Sequence, residues 1–94
     1  MNGGDQVWIA YAICDRDIAA VYRAEVVLAD ASAVYARCPS GVMHTAGSGS
    51  CRAFAAEADA WAWCGERFRQ RAAEMLVEAE RCESFAVAGS QEAA

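Results

Sequence analysis

Few side chains in this chain of 94 residues are able to do chemistry: 5 Cys and 1 His, set against 13 Asp and Glu. Cys38 and Cys51 bracket the segment from Pro39 to Ser50, which holds the single Pro and three Gly, and His44 lies between them. If the flanking elements run side by side, the two thiols reach bridging geometry, with Cα atoms about 4.4–6.8 Å apart. A disulfide closing that loop would add about 3 kcal/mol. The alternative is a pair of small buried thiols in a reducing compartment. Cys38, His44 and Cys51 are also ligand types that suit zinc. Their spacing matches no zinc finger and a fourth ligand is missing, so no metal is assigned. A Cys–His nucleophile pair needs a geometry that spacing does not supply. Glu57, Glu66, Glu74, Glu78 and Glu80 read as solubilising charge. The expectation is a non-enzymatic chain without a cofactor.

Composition narrows the partners. The formal net charge is -5 and hydrophobic residues make up 56% of the chain. All 8 basic residues are Arg, and Ala supplies about a quarter of the sequence. An acidic chain lacks the basic face that neutralises nucleic-acid phosphates, and it lacks a polybasic membrane clamp. There is too much apolar surface for disorder. No apolar run approaches the ~20 residues of a membrane span, and no basic stretch precedes the first apolar segment, as a Sec signal would require.

The elements that must position these residues read as helix, loop, helix. Phe54, Trp61, Phe68, Met75 and Cys82 recur every seven residues, each followed four places later by Ala58, Gly65, Ala72, Ala79 and Ala86. That is a heptad of large and small core positions. Val7, Cys14, Val21, Leu28 and Tyr35 repeat the spacing in the first half. The β-branched run Val7–Ile13 is also compatible with extended chain, but the heptad reaching back to Val7 selects a longer helix. Folding the chain at the loop sets Tyr35 against Phe54, Leu28 against Trp61 and Val21 against Phe68. The expected fold is therefore all-α, a single coiled-coil-like antiparallel two-helix hairpin. Helix 1 covers about residues 6–38, the loop 39–50 and helix 2 about 51–88, with a flexible tail over 89–94. The intra-hairpin seam is Val21, Leu28, Tyr35, Phe54, Trp61, Gly65, Phe68 and Met75, with Gly65 at a close backbone approach.

A second apolar face remains: Ile18, Tyr22, Val26, Trp63, Leu76 and Val77. An exposed face of that kind marks a partner surface. Two hairpins would cover it in a four-helix bundle, as a homodimer or as a heterodimer with another helical hairpin.

An acidic, Ala-rich hairpin resembles the WXG-type proteins of actinobacterial type VII (ESX) secretion. The likeness is to their divergent relatives, in which a Gly-containing turn leads through a small-residue step to a Phe, with an aromatic a heptad later. Gly49-Ser50-Cys51-Arg52-Ala53-Phe54 followed by Asp59-Ala60-Trp61 follows that pattern. The sequence departs from the family in two places. Its Trp63-Cys64-Gly65 stands inside helix 2 rather than in the turn, and its C-terminus carries Phe85 where the family's export signal has Tyr. The resemblance implies a protein–protein interaction module acting as secreted substrate, chaperone or targeting partner. It would be exported by a type VII route without a Sec signal, or cytoplasmic as a chaperone. The alternative function is a cytoplasmic redox- or metal-responsive helical regulator using Cys38, His44 and Cys51.

Overall fold

A computed structural model describes residues 1–47 and 49–93, with side chains to Gly89. Five strands precede one helix: β1 Gln6–Ile13, β2 Ile18–Ala29, β3 Val34–Arg37, β4 Met43–Ala46, β5 Cys51–Phe54 and α1 Glu57–Ala93. The strands form one antiparallel sheet in the order β4-β3-β2-β1-β5. The first four make a meander, and β5 returns to pair with β1 (Tyr11 opposite Cys51, Trp8 opposite Phe54). The sheet curls into a half-barrel.

The expected all-α hairpin is corrected by this architecture, and a hairpin-based four-helix bundle with it. Residues 6–38 hold three strands rather than a helix, the expected loop over 39–50 contains strand β4, and the second expected helix runs Glu57–Ala93 instead of about 51–88, so residues 89–93 continue the helix rather than form a tail. The physical reason lies in local preference. Val7, Ile9, Ile13, Ile18, Val21, Val26 and Val27 concentrate β-branched side chains in the two longest strands, and such side chains pack better on a pleated surface than against a preceding helical turn. A spacing of seven also carries no fixed meaning across turns: Val7, Val21 and Tyr35 stand on three different strands. Gly49 to Phe54, which carried the resemblance to WXG-type proteins, is a turn and strand β5 and not the entry to a helix.

Each connection has its own turn chemistry. The β1–β2 hairpin closes through a single 3-10 turn, Cys14–Arg16, and Asp17 in the left-handed region at φ 55, a conformation Asp tolerates better than most residues. Between β2 and β3, Asp30 Oδ1 accepts from the Ser32 and Ala33 N–H groups at 2.8 and 2.9 Å. These bonds hold the Asp30 carboxyl below its ordinary value. Between β3 and β4, the Gly41 N–H donates to the Cys38 carbonyl at 2.9 Å. Pro39 presets the first corner of that turn, and Gly41 takes φ 90. An irregularity between Val26 and Leu28 marks a bulge opposite β3, which sharpens the local twist.

Two clusters fill the molecule. Val7, Ile9, Ala24, Val26, Ala36, Cys38, Ala46 and Cys51 pack inside the curl. Ala10 and Ala12 pack outside it against Ala60 and Cys64 of α1, flanked by Trp8, Val21, Phe54, Trp63 and Phe68. Full burial of Val7, Ile9 and Val26 contributes about 1.5–3 kcal/mol each. Of the expected seam, Val21, Phe54 and Phe68 do share this outer cluster, whereas Leu28, Trp61 and Met75 are exposed. Tyr35 is half-buried on β3. Beyond Phe68 every described side chain of α1 is exposed, which draws the molecule out to 68 × 22 × 21 Å.

Two glycines predict opposite outcomes. A Cβ on Gly47 would stand 2.3 Å from the backbone oxygen of Ser32 and 3.0 Å from the Ala33 Cα, so Gly47→Ala should lower unfolding stability by about 1–3 kcal/mol. Gly65, expected at a close approach, has nothing within 4 Å of a Cβ. Gly65→Ala should therefore raise stability by about 1 kcal/mol, the helix-propensity difference. Urea titration of the two variants checks both signs.

Candidate functional site

The open end of the half-barrel gathers the reactive side chains. Ala36 of β3 stands opposite His44 of β4 in register, and Cys38 is two residues beyond Ala36, so its side chain falls on the same inner face. Cys38 Sγ lies 2.9 Å from His44 Nε2. His44 Nδ1 lies 2.6 Å from the Tyr11 hydroxyl, and Tyr11 stands opposite Cys51 in the β1–β5 register. Two proton arrangements satisfy both contacts. In one, Cys38 donates to Nε2 and Nδ1–H donates to the Tyr11 oxygen, which leaves Nε2 facing the thiol proton; in the other, the Tyr11 hydroxyl donates to Nδ1 and Nε2–H donates to the sulfur. Tyr22 stacks on the imidazole at 5.3 Å and 17°, and Tyr11 packs edge-on against Tyr22.

Cys38 and Cys51 are each 8% exposed and His44 9%. Burial lowers the His44 pKa below its ordinary value, because the charged ring would lose its water. Burial likewise raises the Cys51 thiol, with the neighbouring Tyr11 hydroxyl opposing it in part. Burial, followed by the neighbouring Cys51 thiol, pushes Tyr11 well above the usual phenol range. Cys64 backs the site from α1. Its Sγ donates to the Tyr11 carbonyl at 3.6 Å, and burial raises its pKa. Beside the cluster runs a groove of about 750 Å³, lined mainly by apolar and aromatic side chains that include Ile13, Ile18, Val21, Pro39 and Val42.

The three residues of the regulator alternative are thus brought together, but not as ligands of one ion. Tyr11 stands between His44 and Cys51, and no group of three or more metal-ligating side chains occurs among the described residues. Cys38 and Cys51 share the inner cluster, and all five cysteines are free thiols. Tyr11, the link of the network, escaped sequence reasoning. Its only signal was its place in a β-branched run whose odd positions face one way.

The expected partner face is dispersed. Val26 is core, Trp63 is half-buried between Arg52 and Arg67 with Phe54 alongside, and Ile18 and Tyr22 border the groove. Only Leu76 and Val77 remain together, exposed on α1. Among the described residues no helix is long and apolar enough to cross a membrane. Comparison with family models, curated proteins and solved structures finds no match.

The titrations set a stability profile. His44 is the single His, and its folded pKa lies below the ordinary 6.5. The unfolded chain therefore binds the proton first as pH falls, and stability declines from about pH 6.5 downward. Tyr11, Cys51 and Cys64 have raised folded values, so their contribution is lost on the alkaline side, above about pH 9. Urea midpoints measured from pH 7 to 5 should fall for the native chain and stay level for His44→Gln.

Proposed function

We propose that the chain is a non-enzymatic protein–protein interaction module that acts through the projecting part of α1. The observation that carries this reading is the exposure of Met75, Leu76, Val77, Phe85 and Val87 along a helix that touches the sheet only near its start. The projecting turns are supported by exposed i,i+3 pairs, Arg69–Glu66, Arg71–Glu74 and Arg81–Glu78. Such pairs contribute well under 1 kcal/mol each, and most helical stability in proteins comes from packing of an apolar face, which these turns lack. A partner helix supplies what is missing.

The heptad along α1 supports a second copy running antiparallel as that partner. In this arrangement large seam positions meet small ones: Phe68 faces Ala86 of the second copy, Met75 faces its Ala79, and Ala72 faces its Cys82. Beside the seam, Arg69 approaches Glu83 twice by symmetry, and Leu76 meets Leu76. One like-charge contact, Glu78 with its own mate, opposes these. A parallel pair would instead set Glu78 against Glu83 twice and stack alanines on alanines, leaving voids. Charge sets register and orientation here more than strength.

Sizing by light scattering should show a dimer at high micromolar concentration. Under mild oxidation Ala72→Cys should cross-link to Cys82 of the other chain, while native chains form no Cys82–Cys82 bridge. A persistent monomer, or a Cys82–Cys82 link in the native chain, overturns the antiparallel pairing.

A further inference from the structure

The thiol–imidazole–phenol cluster has a use beyond packing. We propose that Cys38, with His44 as its proton acceptor, is a nucleophilic modification site for apolar α,β-unsaturated carbonyl compounds entering the adjoining groove. The geometry has the three parts such a site needs. The nucleophile and base are in contact, Sγ to Nε2 at 2.9 Å. The base is oriented from its other nitrogen by Tyr11 at 2.6 Å, which directs Nε2 at the sulfur. The space beside them is open and walled by Ile13, Ile18, Val21, Pro39 and Val42.

His44 is held neutral by its surroundings, and a neutral imidazole is the form able to take a proton. Tyr22 lies across one face of the ring and Tyr11 fixes its edge. Neither nitrogen needs solvent to be satisfied.

The step balances without a leaving group or an oxidant. Nε2 takes the Sγ proton as the sulfur attacks the β-carbon, forming the S–C bond. The π electrons of the double bond move to the carbonyl oxygen as an enolate. The proton on Nε2 then passes to the α-carbon, regenerating neutral His44 and leaving a thioether. The apolar walls select electrophiles with a hydrocarbon chain over small polar ones. The chain contains no Lys, so side-chain amines do not compete for the electrophile.

The test compares each thiol with itself. The native full chain and the urea-unfolded chain are treated with a methyl enone bearing a pentyl chain, and with methyl vinyl ketone. Adducts at each cysteine are counted by peptide mass mapping. Burial alone predicts that folding slows Cys38, as it should slow the buried Cys51 and Cys64. The proposed site predicts that folding speeds Cys38 by about tenfold or more, with a larger gain for the pentyl enone than for methyl vinyl ketone. His44→Asn should abolish the gain while Cys51 and Cys64 stay protected. If that variant unfolds, shown by a reactive Cys64, Tyr11→Phe carries the test and should cut the gain several-fold. A Cys38 slower when folded than unfolded, or a gain that survives loss of His44 or Tyr11, overturns the assignment. None of these readouts depends on whether α1 pairs.

Discussion

Burial of β1 on both faces is the constraint on which the rest of the molecule depends. Its inner side chains, Val7 and Ile9, are core, while Ala10 and Ala12 press outward onto Ala60 and Cys64 of α1. It pairs with β2 along one edge and β5 along the other. A strand enclosed this way has no solvent face, so it reads as a continuous apolar run without alternation. The small side chains on its outer face let the helix approach closely. Larger residues at Ala10, Ala12 or Ala60 would overpack a layer that is fully buried, at a cost of about 1–3 kcal/mol each.

The same strand builds the site. Because successive side chains alternate, placing Ala10 and Ala12 under α1 commits Tyr11 to the inner face. There it meets residues that arrive from the opposite end of the sheet. The Pro39–Gly41 turn brings the chain back after Cys38, with the Cys38 N–H donating to the Val42 carbonyl at 2.9 Å. His44 then returns beside Cys38. Residues of β1, β4 and β5 and the turn after β3 become neighbours because the sheet curls, although β1 and β4 are not adjacent in it. In a flat sheet Tyr11 and His44 would be separated by two strands, three spacings or roughly 14 Å.

What the sequence made legible follows from this arrangement. The turn at Pro39–Gly41 was recognisable by its Pro and Gly, and Cys38, His44 and Cys51 as a set, because turn formers and reactive side chains announce themselves locally; strand β4, four residues inside the expected loop, was not. Helix from Glu57 onward was equally plain from its Ala, Glu, Arg and Met content. The first half was misread because Ala serves helix, sheet and close-packed layer alike, and its abundance diluted the β-branched signal of Val7–Ile13 and Ile18–Leu28. Asp15–Asp17 and Asp30–Ser32 are turns that fall inside the expected helix over residues 6–38. The association of Tyr11 with His44 could not be read at all, since it is made by curvature, which has no local sequence mark.

Two regimes of stability meet in α1. Its first turns are held by burial of Ala60 and Cys64 and by half-buried Trp63 and Phe68. The rest is held by helix propensity and weak exposed ion pairs, without the tertiary packing that supplies most helical stability in proteins. The boundary falls just past Phe68, where the sheet ends beneath the helix. On the near side, Cys64 reaches the carbonyl of Tyr11, so the anchored turns back the strand that orients His44. On the far side, every described side chain is exposed. The order of the thiol site therefore depends on the first turns of α1 being docked, and is separable from whatever covers the turns that project.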